Sequence, residues 1–215
     1  MSNKFTLFLS LTLIFGATAV GVLLYGQLPD PMPSHWNAAG EVDGYISRFW
    51  GVFLIPLVTL GLLVLFLLIP TIDPLKANIA QFRPIYNAFI VGFIVYMLYV
   101  YGLTLAAALG SRFNMTQMLL PAIGLLFLGI SFLIKNAKRN FFIGIRTPWT
   151  LSSDRVWEKT HQLGAKLFAL SGLITLVSAF LGETGLWLML AALLLAVVVP
   201  IVYSYLLFAQ EEQTK

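Results

Sequence analysis

Six apolar stretches, most of them twenty residues or longer and none with Asp, Glu, Lys, Arg or His in its central part, constrain this chain more than any motif it carries. As a helix, about 20 apolar residues cross a ~30 Å hydrocarbon layer, and inside lipid a helix satisfies its own backbone. Spans are predicted at residues 5–25, 49–69, 85–110, 115–134, 167–181 and 186–208. Only 10% of the 215 residues are charged, which decides against a soluble domain of this size. The expected fold is an all-α integral membrane protein, a six-transmembrane-helix bundle. Lys4 before the first run imitates a signal peptide. The run is longer than a usual h-region and Leu28-Pro29-Asp30-Pro31 offers no small-residue cleavage site, so retention is expected.

The cations orient the bundle. With six spans and the N-terminus inside, Lys4, Lys76, Arg83, Lys135, Lys138, Arg139, Arg146, Arg155, Lys159, Lys166 and Lys215 fall on one side and only Arg48 and Arg112 on the other. The positive-inside rule then places both termini in the cytoplasm. Basic residues that flank spans meet anionic lipid, so the bilayer is the expected partner and direct nucleic-acid binding is not. No cysteine is present, which removes disulfides and thiolate chemistry.

Three units are expected: residues 1–70 with two spans around an ordered outer loop at 28–48, residues 71–134 with two more, and residues 135–215 with an inner loop and the last two. Pro29, Pro31, Pro33, Gly40 and Gly44 make the outer loop extended and turning rather than helical. Pro70 and Pro74 are expected to close the second span. In the third, Gly102, Ala106 and Gly110 recur every four residues, a small-residue stripe suited to close helix approach. Tyr96, Tyr99 and Tyr101 are expected to pack and to hydrogen-bond between helices.

Uncharged span centres argue against an ion-coupled pump. No phosphate-binding glycine loop, HExxH helix or GxSxG elbow occurs, and no cofactor is expected. The outer loop gathers His35, Trp36, Asn37, Glu41 and Asp43 within nine positions. His35, Glu41 and Asp43 are weak candidates for a metal site or an acid and base, against turn capping and membrane anchoring. The inner loop, 135–166, holds seven of the 13 Lys and Arg residues. There Thr147 before Pro148 is expected to be extended, and Gly144 to allow close backbone approach, so that Arg146 and Trp149 are presented in a fixed arrangement. Ser152 or Ser153 is expected to cap a helix whose Trp157, His161, Gly164 and Phe168 share one face. Arg146, Thr147, Pro148, Trp149, Trp157, His161, His35, Trp36, Asn37 and Asp43 are the candidate ligand- or partner-binding residues.

These segments carry a likeness. The run from Ile143 to Phe168, IGIRTPWTLSSDRVWEKTHQLGAKLF, resembles the signature of the SdpI family of bacterial membrane proteins. The upstream LPDPMPSHWNAAGEVDGYISR resembles the outer loop of an uncharacterised domain often found before it. The resemblance implies a multi-pass protein of the bacterial cytoplasmic membrane, not an enzyme, that gives immunity to a secreted peptide toxin. In the family's named member a cytoplasmic transcriptional repressor is also sequestered at the membrane, so a repressor is an implied partner. Two other classes stay open at this point: a small-solute or lipid carrier, and a membrane enzyme built on His35, Glu41 and Asp43.

Overall fold

The computed structural model describes residues 1–213, so Lys215 lies outside the described residues. Six helices long and apolar enough to cross a membrane follow one another: α1 (Asn3–Leu24), α2 (Arg48–Ile72), α4 (Arg83–Ala108), α5 (Met115–Asn136), α7 (Asp154–Ser178) and α8 (Glu183–Gln213). Two short helices, α3 (Lys76–Gln81) and α6 (Pro148–Ser152), sit in connectors. The protein is a multi-pass membrane protein. Large apolar side chains such as Leu23, Phe180 and Leu194 point outward along the bundle, as lipid-facing positions must.

Helix ends follow local chemistry. Ser2 caps α1, Asn114 caps α5 and Ser153 caps α7, each side chain accepting a backbone N–H of the first turn. The six residues between α4 and α5 return the chain antiparallel, and Gly182 at φ +58° does the same between α7 and α8.

The segment between α1 and α2 departs from a purely helical fold. Strands β1 (Met32–Trp36) and β2 (Val42–Ile46) pair antiparallel as a small hairpin. Its turn closes through Asn37, whose backbone exchanges hydrogen bonds with Glu41 and Gly40, and Gly40 adopts φ +81°. Met32 is fully buried on Gly51, and Leu28 and Val52 complete that small core with Tyr101. Asn114 donates to the Ala39 carbonyl at 2.6 Å and Thr116 to that of Ala38 at 3.2 Å, which pins the hairpin on the α4–α5 turn.

Two further expectations are corrected. Pro70 does not end the second span: α2 runs through it to Ile72, because Pro56 and Pro70 both fit inside one helix whose neighbours absorb the missing bonds. Nor does the stripe at Gly102 and Gly110 receive a helix, since nothing lies within 4 Å of a Cβ placed at either. Close approach occurs instead between α5 and α7, where Cβ atoms at Gly124 and Gly172 would lie 2.9 and 2.8 Å from each other's carbonyl oxygens.

Of the three tyrosines, Tyr99 donates to the Met118 carbonyl at 3.0 Å across α4 and α5, while Tyr101 is buried against Gly21 with its hydroxyl unpaired. Packing joins α1, α2 and α4 around Ile14, Leu63, Tyr86 and Ile90, and joins α5, α7 and α8 around Leu120, Phe127 and Met189.

Candidate functional site

The segment between α5 and α7 folds without regular structure until α6, yet almost every polar group in it is paired. Asn140 is fully buried and uses its whole amide. Its Oδ1 accepts the Phe142 and Ile143 N–H groups at 2.9 and 2.6 Å, and its Nδ2 donates to the Lys138 and Ile143 carbonyls at 2.8 and 2.9 Å. Asp73, at the end of α2, is 2% exposed. Its carboxylate accepts the N–H of Leu75 at 2.6 Å and, across the fold, that of Phe141 at 2.9 Å. Asn78 adds a bond to the Arg139 carbonyl at 2.8 Å. Such bonds contribute about 1 kcal/mol each, but leaving a buried partner bare costs about 1–3 kcal/mol, so the segment is held as a unit.

Arg139 donates from Nη1 to the Leu151 carbonyl at 2.9 Å, and its Nε lies 2.8 Å from Asp154 Oδ1, an ion contact at the N-terminus of α7. The Trp157 indole donates to the Ala137 carbonyl at 2.9 Å and stacks on the His161 ring at 4.0 Å. His161 Nε2 accepts the Ile145 N–H at 3.0 Å, and its Nδ1 lies 2.8 Å from the Trp157 carbonyl. An amide can only donate and a carbonyl can only accept, so the imidazole is neutral with its proton on Nδ1. Gly144, at φ +117°, passes so close to this ring that a Cβ would fall on Nε2.

The next turn is capped as its residues dictate. Thr147 is extended at φ −116° and ψ 162°, as a residue before proline should be, and forms a reciprocal capping box with Thr150. Its hydroxyl also meets Ser204 of α8 at 3.0 Å. Trp149 packs on Tyr205 of α8 with ring centroids 5.1 Å apart. Ser153 donates to Glu211 at 2.8 Å. The loop is thereby a lid of fixed shape across one end of the α5, α7 and α8 group.

This geometry divides the candidate residues. Thr147, Trp157 and His161 are buried and hold the loop together; none faces outward. Arg146 and Pro148 are exposed and Trp149 is half-buried. Arg146 Nη1 donates to the Phe141 carbonyl at 2.6 Å, and the side chains of Phe141 and Phe142 are exposed on the same loop. An exposed arginine on a rigid loop can take a carboxylate or phosphate with its free donors.

The outer residues are separated. His35 and Asp43 pair at 2.5 Å on the hairpin surface, whereas Glu41 bonds to Asn37 at 3.3 Å. Among the described residues no group of three potential metal ligands exists, so His35, Glu41 and Asp43 do not converge. Trp36 is half-buried, and Tyr45 on β2 and the paired Phe49 and Trp50 at the start of α2 are exposed aromatics, the composition of a membrane interface.

Asp73 and Asn140 escaped the sequence reading. Asp73 did carry a signal: an acidic residue at a helix C-terminus opposes the helix dipole, which implies a compensating partner elsewhere. Asn140 carried none beyond its turn propensity.

Comparison with known proteins falls on the same two segments. Residues 136–204 match the SdpI/YfhL protein family, and residues 12–60 match a domain of unknown function, DUF1648. Over 199 residues the chain is 27% identical to the immunity protein SdpI of Bacillus subtilis (strain 168), covering 92% of this chain and 93% of that protein. No solved structure matches.

Proposed function

From a chain that carries an SdpI/YfhL domain behind a DUF1648 domain, we infer a membrane immunity protein, non-enzymatic and seated in the bacterial cytoplasmic membrane, that protects against a secreted antimicrobial peptide. The observation that supports this most is similarity over 92% of the chain to an immunity protein. The span centres, which hold no ionisable group in the stretches assigned from sequence, suit binding or shielding better than coupled transport. The hairpin, with its exposed His35, the half-buried Trp36 and Asn37 and the exposed aromatics, is the face proposed to meet the peptide. The inner loop, with exposed Arg146, Phe141 and Phe142, is the face proposed to hold a cytoplasmic protein such as a repressor with an acidic patch.

Expression in a toxin-sensitive bacterium tests the reading. Survival against a panel of membrane-active peptides should rise for at least one of them, with no gain against ionophores or detergents. No gain for any peptide, with membrane insertion verified, rejects immunity. If the Arg146 face takes part, Arg146→Ala and Trp149→Ala each reduce protection, by about tenfold for one charge-assisted contact, while Lys159→Ala does not. Equal effects of all three reduce the loop to an electrostatic anchor.

Orientation has its own test. Single cysteines at Ser34, Ser111 and Thr184, all exposed, should react with an impermeant thiol reagent on intact cells, and one at exposed Ser152 should react only after lysis. The opposite labelling pattern inverts the protein and exchanges the roles of its two loops.

A further inference from the structure

The seam between α4 and α5 is not closed. These consecutive transmembrane helices share one buried cluster, with Leu133 of α5 beside Tyr86 and Ile90 of α4 in its membership, and next to that contact a groove of about 590 Å³ runs between them. Phe89, Gly92 and Tyr96 on one side and Leu125 and Gly129 on the other give it almost wholly apolar walls. From Ile85 to Tyr99 it follows α4 for about 21 Å at 1.5 Å per residue. A polymethylene chain, about 4 Å thick by carbon–carbon contact distance, can lie along it.

The groove ends at Ile85 and Phe132, and one turn further along α5, at Lys135, a second cavity of about 320 Å³ begins. That cavity is polar, bounded by Gln81, Lys135, Lys138, Arg139, Asp154 and Glu158 among others. Arg139 is engaged by Asp154 at 2.8 Å and Glu158 accepts from Gln162 at 3.3 Å. The ammonium groups of Lys135 and Lys138 are exposed and make no hydrogen bond or ion pair among the described residues. The apolar groove thus ends one helical turn from two ammonium groups without a partner. Neither cavity alone selects a ligand; together they match an amphiphile with one anionic head.

We propose that this seam is a binding site for an anionic phospholipid, with one acyl chain in the α4–α5 groove and the phosphate against Lys135 and Lys138. The lipid fills the open side of the contact between α4 and α5.

Native mass spectrometry of the full chain, released from detergent after titration with phosphatidylglycerol or phosphatidylcholine of equal chain length, tests this. The protein should retain one phosphatidylglycerol with a preference on the order of tenfold over phosphatidylcholine, the size expected for two lysines near a lipid head. Lys135→Gln/Lys138→Gln should abolish the preference while leaving phosphatidylcholine retention as it was. Gly92→Leu should reduce retention of both lipids by about tenfold without lowering the melting temperature. A Cβ at position 92 meets no protein atom within 4 Å, the rest of the side chain extends from the groove wall into the slot, and leucine is the better helix former. Retention of neither lipid, equal retention of both, or full retention by Gly92→Leu overturns the proposal. So does a dimer that Gly92→Leu dissociates, because the groove then holds a second copy of the chain.

Discussion

Gly144→Ala is expected to destabilise the purified protein by about 2–4 kcal/mol, read as a lower melting temperature in detergent, and to abolish protection in cells. Two costs act together. At φ +117° an alanine occupies backbone space that is nearly glycine-only, worth about 1–3 kcal/mol, and its Cβ collides with His161 Nε2. The ring cannot retreat, because it is stacked on Trp157 and bonded at both nitrogens.

His161→Ala removes the collision but strips the Ile145 N–H of its acceptor and leaves a void beside Trp157, so it is destabilising on its own. The double variant should therefore be more stable than the two single losses added together, by about 0.5–3 kcal/mol of coupling. Strict additivity would show that Gly144 and His161 do not share this contact. His161→Gln provides the finer check: its amide oxygen can reach the position of Nε2, so it should retain more stability than alanine.

The second large effect is expected where α5 crosses α7. Gly172→Leu and Gly124→Leu should each cost about 3 kcal/mol or more and shift the purified protein from a monodisperse peak to aggregate in size-exclusion chromatography. The atoms in the way are backbone carbonyl oxygens at 2.8 and 2.9 Å, which no rotamer change can move. Whole helices must separate. Gly102→Ala is the matched control: nothing lies within 4 Å of its Cβ, and the gain in helix propensity makes it neutral or stabilising by up to about 1 kcal/mol. Loss of stability in Gly102→Ala comparable to that in Gly172→Leu would return the close contact to the α4 stripe.

These two sites also mark the boundary between local and tertiary information. Where a property belongs to a single helix or turn, the sequence was sufficient. The six spans follow from apolar length, a serine cap at Ser152 or Ser153 from a hydroxyl ahead of an acidic first turn, with the structure choosing Ser153, and the extended Thr147 from the ring of Pro148. The inward face of Trp157, His161, Gly164 and Phe168 follows from helical periodicity alone.

Partnership between elements was decided only by the tertiary structure. A stripe of small residues at intervals of four states that α4 can be approached, yet the close contact falls at Gly124 and Gly172, whose neighbours four residues away are Leu120, Leu128, Phe168 and Leu176, and only packing assigns it there. The hairpin was hidden because its strands are short, interrupted by Pro33 and Gly44, and stabilised by Asn114 and Thr116, more than 70 positions away. Separation of Arg146 from Trp157 and His161, one outward and two inward, depends on Asp73 reaching Phe141 across 68 residues and on Asn140 wrapping the backbone around its amide. Hydrogen bonds between distant residues leave no periodic trace in a sequence, since their free energy exists only once both ends are brought into the same dry space.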